Sequence, residues 1–154
     1  MIGIYRKLMM LWCGAVVLFG SVLMGAGFAS TDRPTRALFD ILSDAAPVFD
    51  APLRFSVGLM GAVTFGWGLS LLAVTSVLHL LDPATARLLW MRLALACGTW
   101  YLVDSTISVA TGFGLNAVSN TVFMAAFLLI AWRSGVLAPI AAVHRRVFNE
   151  TSAQ

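Results

Sequence analysis

The sequence predicts an all-α fold: a transmembrane antiparallel four-helix bundle with a short outer interfacial helix and a C-terminal amphipathic helix. Three observations carry this expectation. Leu8–Phe28, Phe55–Leu81, Leu88–Val109 and about Leu115–Trp132 are mostly apolar runs of 21, 27, 22 and 18 residues, against roughly 20 needed to cross about 30 Å of hydrocarbon. Of the 154 residues, 60% are hydrophobic and 11% charged, whereas charged residues make up about a quarter of soluble domains. Mean hydropathy is +0.90. Finally, the charges, prolines and turn glycines gather between the runs. The expected division is a four-span membrane domain over 1–135 and a tail over 136–154.

The first run follows Arg6 and Lys7 and carries Ser21, Gly25 and Ala29 at spacing four, a small-residue row on which another helix can approach closely. It is expected to be an uncleaved anchor, because it exceeds the 7–15 apolar residues of a typical signal peptide. Cleavage after the small residues Gly27 and Ala29 is the competing reading and would leave three spans. A lipoprotein signal is excluded, since Trp12 and not a small residue precedes Cys13. In the following connection, Asp32 is placed to cap a short helix with Pro34 in its first turn and Leu38, Ile41 and Leu42 along one side. Pro47 and Pro52 then break the chain before Arg54, which can lift its charge toward the headgroups. A tether is the plain reading of this connection and a lid the functional one.

The second run repeats the small-residue spacing with Gly58, Ala62, Gly66 and Ser70, expected to be the helix-packing row of the protein. Only Asp82–Arg87 separates it from the third run, and a stretch containing Gly112 and Gly114 separates the third from the fourth. Such short links make antiparallel neighbours. After Ser134-Gly135, the tail Val136–Phe148 sets Ile140, Val143 and Val147 on one side with His144, Arg145 and Arg146 beside them, as a basic helix lying on a membrane would. A stop-transfer flank is the plainer reading. Glu150–Gln154 is expected to fray.

Net charge is +3, but the basic residues form no stripe interleaved with aromatics, so nucleic acid is not an expected partner. They flank the spans instead. Arg6, Lys7, Arg87, Arg92, Arg133, Arg145 and Arg146 fall on one side and Arg33, Arg36 and Arg54 on the other, the bias expected when both termini are cytoplasmic. Trp12, Trp90 and Trp132 are expected at that same boundary as an aromatic belt. The expected location is the bacterial inner membrane, multi-pass, with membrane lipids as the surroundings.

Asp104 is the sharpest anomaly, a carboxylate inside the third run. Sixteen residues from Leu88 put it about 24 Å along an ideal helix, where an ionised carboxylate is expensive and the group must be protonated, hydrogen-bonded, wet or paired. Ser105 and Ser108 share its broad face, and the outer half of the fourth run supplies Asn116 and Asn120 one turn apart. The sequence thus predicts an intramembrane polar cluster of Asp104, Ser105, Ser108, Asn116 and Asn120, with Thr64 or Tyr101 as further partners. Arg92 is about 18 Å away along the same helix; Arg54 is the candidate counter-charge. Three roles compete: a hydrogen-bonded lock between helices, a site for a polar ligand, lipid headgroup or pigment, or a proton or cation relay. A relay would need a second titratable group inside the spans, and the sequence offers no other acid there.

Nothing else points to chemistry. His79 and His144 do not lie at a common depth for haem. Cys13 and Cys97 lack CxxC spacing, so neither a metal site nor a disulfide is expected. There is no GxSxG, HExxH or phosphate loop, and no cofactor is expected. Met124 and Phe127 could line a carotenoid or quinone groove, but bundle core or lipid-facing surface is the ordinary role of such residues.

Pro52-Leu53-Arg54-Phe55-Ser56-Val57-Gly58, together with Asp104-Ser105 through Gly112, Asn116 and Asn120, resembles small uncharacterised bacterial four-helix integral membrane proteins. A broader likeness to DoxX-type membrane proteins rests on size, span number and glycine-rich helices. Neither resemblance implies an activity. The expected function is that of a non-enzymatic structural or accessory subunit, associating with itself or with a larger membrane complex. A small transporter or ligand-binding protein centred on Asp104 is the alternative.

Overall fold

A computed structural model describes residues 3–42 and 47–136. Helix α1, Gly3–Met24, runs into a 3-10 turn at Gly25–Gly27; α2 is Arg33–Leu42; α3, Ala51–Val77, ends in a second 3-10 turn at Leu78–Leu80; α4 is Pro83–Ala110 and α5 Gly114–Arg133. All four long helices are long and apolar enough to cross a membrane, and they pack antiparallel. The protein is a small multi-pass helical membrane protein. The proposed tail helix lies outside the described residues.

Helices α3 and α4 begin before their apolar runs because local chemistry starts them earlier. Asp50 precedes α3 and accepts the N–H of Leu53, with Pro52 in the first turn. Asp82 precedes α4 and accepts from the N–H groups of Ala84 and Thr85, with Pro83 at the first position. These caps satisfy backbone donors that have no partner inside the helix. The Asp82 cap leaves only Leu81 and Asp82 between the second 3-10 turn and α4. Gly112, at φ +86°, adopts the left-handed backbone that turns α4 into α5.

The spans form two hairpins. In the first, α1 and α3 meet along buried residues that alternate at steps of four and three: Met9, Cys13, Val16, Gly20 and Leu23 on α1, and Gly68, Leu71 and Thr75 with Val57 and Gly61 on α3. That alternation averages 3.5 residues and keeps a seam facing one partner. Glycine makes the approach close enough for backbones to touch. A Cβ at Gly20 would lie 2.7 Å from the Cα of Phe65, one at Gly61 would lie 2.6 Å from the carbonyl carbon of Leu23, and one at Gly68 would lie 2.8 Å from the nitrogen of Val17.

The row expected from spacing four does not make this close contact within the chain. A strict step of four turns about 40° further around the helix each time, so a row that starts toward a neighbour soon leaves it. Gly58 still faces α1, its Cβ position 3.2 Å from the Cα of Gly27, but Ala62, Gly66 and Ser70 are exposed. On the first span, Ser21 donates to the carbonyl of Val17, Gly25 lies against its own following turn at Thr31, and Ala29 is exposed. Gly20 does the packing there.

In the second hairpin α4 lies against α5, and the two hairpins join through α1 and α5. The indole of Trp12 stacks on Phe123 at 4.5 Å between ring centroids and donates its N–H to the Phe123 carbonyl at 3.0 Å. Trp12 and Trp90 also flank Phe127. Trp12 and Trp90 are 5% and 1% exposed against 67% for Trp132. The expected aromatic belt is therefore wrong for two of its three members, which are core residues. Helices α3 and α4 have no extended backbone contact; Trp67 and Trp100 bridge them, with centroids 5.5 Å apart.

Helix α2 closes the end of the bundle at which α1 and α4 finish. Fully buried Thr35 donates to the carbonyl of Val22 at 2.6 Å, and Phe39 sets its edge against Phe49 and Phe113.

Candidate intramembrane polar site

Asp104 lies on α4 six residues before Ala110, about 9 Å from the end of the helix. The 0-4 spacing of Asp104 and Ser108 puts both on the α4 face that meets α5, and the 0-4 spacing of Asn116 and Asn120 supplies two amides from the opposite helix. The tight turn at Gly112 holds the two helices in the register that brings these pairs together. One carboxylate oxygen, Oδ1, accepts three hydrogen bonds: from Asn120 Nδ2 at 2.8 Å, Asn116 Nδ2 at 3.0 Å and Ser108 Oγ at 3.2 Å. Asn116 Nδ2 also donates to Ser108 Oγ at 2.8 Å, and Ser108 Oγ to the Asp104 carbonyl at 2.8 Å. Ser108 and Asn120 are buried, and Asp104 is half-buried. Among the described residues no donor reaches the second oxygen, Oδ2.

The structure brings together Asp104, Ser108, Asn116 and Asn120. Ser105 stays out of the network: its hydroxyl is shielded from solvent and has no hydrogen-bond partner among the described residues. Tyr101 instead shares a hydrogen bond with Thr121 on the exposed side of the α4–α5 seam, at 3.0 Å, and Thr64 donates to the carbonyl of Met60. Neither joins the cluster.

Arg54 is not the counter-charge of Asp104. Its guanidinium donates to Asp32 Oδ2 at 2.8 Å and to the carbonyl of Ala26 at 3.2 Å, and Arg36 reaches the same Asp32 oxygen at 2.8 Å. Both guanidiniums lie over the Phe49 ring, 4.4 Å from its centroid for Arg36 and 5.8 Å for Arg54. The hydrogen bond from Arg36, aided by that from Arg54, holds the Asp32 carboxyl below its ordinary range. Asp32 does begin α2 through its carbonyl, which accepts the Arg36 N–H at 2.9 Å. Its side chain is spent on tying α2 to α3.

Reading the sequence missed the Asp32–Arg54 pair, the Trp67–Trp100 bridge and the seam glycines Gly20, Gly61 and Gly68. The 3-4 alternation of small and apolar residues on both helices was the available signal for the last of these. Cys13 and Cys97 are buried free thiols, and Cys13 lies 3.6 Å from the Thr75 hydroxyl. No group of three His, Cys, Asp or Glu side chains converges among the described residues.

Comparison with protein-family models, curated proteins and solved structures finds no match. The resemblance seen in the sequence holds only as architecture, four long apolar helices in a small multi-pass protein, and no family is identified.

Proposed function

We propose that this is a non-enzymatic integral membrane protein that works by association, with further copies of itself or as an accessory subunit of a larger membrane complex. The observation that supports this reading is the uncovered row Ala62, Gly66 and Ser70 on α3: all three are exposed, and nothing lies within 4 Å of a Cβ at Gly66. The protein's own close contact is made elsewhere on the helix. A row of small side chains lets a second helix reach the backbone, and van der Waals packing is a main drive for association in lipid. The polar cluster fits this reading as a lock between α4 and α5, since one carboxylate among a hydroxyl and two amides does not by itself establish a nucleophile–base pair. The bias of positive residues between the two sets of span ends supports an orientation with both termini cytoplasmic, in a bacterial inner membrane.

Because Gly66 faces open space, Gly66→Leu separates association from folding. Single-molecule photobleaching in lipid bilayers should find wild-type oligomers, or a stably co-purifying partner, and should find both lost in Gly66→Leu with thermal stability unchanged. Wild-type protein that stays monomeric and partnerless, or a Gly66→Leu variant that associates as well as wild type, contradicts the proposal.

A further inference from the structure

We propose that Asp104 and Trp100 form a binding site for an alkylammonium group, set between α3 and α4 near the α2 end of the bundle. This goes beyond the association reading and does not depend on it. Trp100 and Asp104 are one helical turn apart, so they share a face of α4. Trp100 meets Trp67 of α3 while Asp104 Oδ1 is held toward α5, so Asp104 sits at the edge between the side of α4 that borders α3 and the face that meets α5. Since α3 and α4 have no extended backbone contact, side chains, the indole pair among them, bridge the space between the two helices. Half-buried Asp104 lies one turn nearer the α2 end.

The carboxylate is divided between two tasks. Oδ1 takes all three donors from Ser108, Asn116 and Asn120, which fix the orientation of the group, while Oδ2 has no donor among the described residues. Nor does a protein cation reach it there: both recorded ion pairs of Arg36 and Arg54 go to Asp32. A carboxylate in the hydrocarbon region without a counter-charge is costly, and a ligand cation would supply one. The adjacent indole selects the kind of cation, because an aromatic face attracts an organic ammonium through its quadrupole. About 9 Å of helix separates Asp104 from the end of α4, so the ammonium can belong to a freely diffusing amine or to a lipid headgroup that dips inward.

The test uses the full chain in nanodiscs of phosphatidylglycerol, which has no ammonium, with binding of radiolabelled choline followed by scintillation proximity. Saturable binding that unlabelled choline displaces and its neutral isostere 3,3-dimethylbutan-1-ol does not is expected. Asp104→Asn keeps a carbonyl oxygen for the three donors and should weaken binding at least about tenfold; Trp100→Leu should weaken it about 2- to 30-fold, the range of a cation–π contact. Repeating the titration with phosphatidylethanolamine in the bilayer assigns the source: loss of choline binding supports a lipid headgroup, and unchanged binding a soluble amine. Absence of saturable binding in phosphatidylglycerol, equal displacement by the neutral isostere, or full binding by a folded Asp104→Asn variant overturns the proposal. The isostere comparison needs no variant, so it decides the matter even if Asp104→Asn does not fold.

Discussion

Gly61→Ala and Gly66→Ala add the same methyl group five residues apart on one helix and should change stability in opposite directions. At Gly61 the new carbon would lie 2.6 Å from the carbonyl carbon of Leu23 and 2.8 Å from the Cα of Met24, all backbone atoms that no rotamer change can move. Ordinary carbon contacts begin at about 3.5 Å, so α1 and α3 must separate by nearly 1 Å along the seam, and a gap of about 0.5–1 Å forfeits a quarter to a half of each contact beside it. Overpacking of this kind costs about 1–3 kcal/mol. Removing a mid-helix glycine returns up to about 1 kcal/mol; because the clash is with several backbone atoms, the overpacking cost falls in the upper part of its range, about 2–3 kcal/mol, and leaves a net loss of about 1–2 kcal/mol for Gly61→Ala. At Gly66, where a Cβ meets nothing, only the gain remains, at most about 1 kcal/mol. Reversible unfolding in mixed micelles, followed by circular dichroism under conditions that keep the protein monomeric, reads both values. If Gly61→Ala matches wild type, or if the two variants lose the same stability, the close seam between α1 and α3 is misplaced.

Three further outcomes follow from the same geometry. Gly20→Ala combined with Gly61→Ala should cost less than the sum of the single losses, because a Cβ at Gly20 lies 3.0 Å from the Gly61 carbonyl oxygen and one separation of the helices relieves both clashes; additive losses in the micelle assay would count against this. Asn120→Ala removes the shortest bond to Asp104 Oδ1 and should cost about 0.6–1.7 kcal/mol, the range for hydrogen bonds between membrane helices, with much of the loss absent when Asp104 is already Ala. For pH, the hydrogen bond from Arg36, with that from Arg54, holds the Asp32 carboxyl below the ordinary carboxylate value. Its contribution to stability is therefore complete above that value and is lost as pH falls through the lower folded value. Asp32→Asn should accordingly flatten the fall in melting temperature below about pH 4 while Asp40→Asn leaves it steep.

The features of this protein that read from sequence are those set by solvent and by local spacing. Four apolar runs gave four spans, since lipid demands long uninterrupted helices. The meeting of Asp104 with Asn116 and Asn120 was legible because a short turn through Gly112 leaves two antiparallel helices few registers. Partners chosen by packing across longer distances were hidden. Trp12 and Trp90 fall near one end of their runs, as interface residues do, yet an α5 carbonyl and the Phe127 ring draw them inward. Arg54 stands at a span end and could have reached several acids; only the folding of α2 over the bundle decides for Asp32. The small-residue rows misled because counting by fours ignores the slow rotation of the helix, whereas the buried seam corrects for it at every other step.

The pairing of neighbours in the chain also bears on how the protein is made. The seam glycines Gly20 of α1 and Gly61 and Gly68 of α3 each meet backbone or side chain of the neighbouring span, so the first half can pair once α1 and α3 are both in the membrane, without waiting for α4 and α5. The ring of Phe123 then meets an indole that has been waiting on α1. Biogenesis here needs only adjacent segments to find one another, followed by a single docking step between two finished halves.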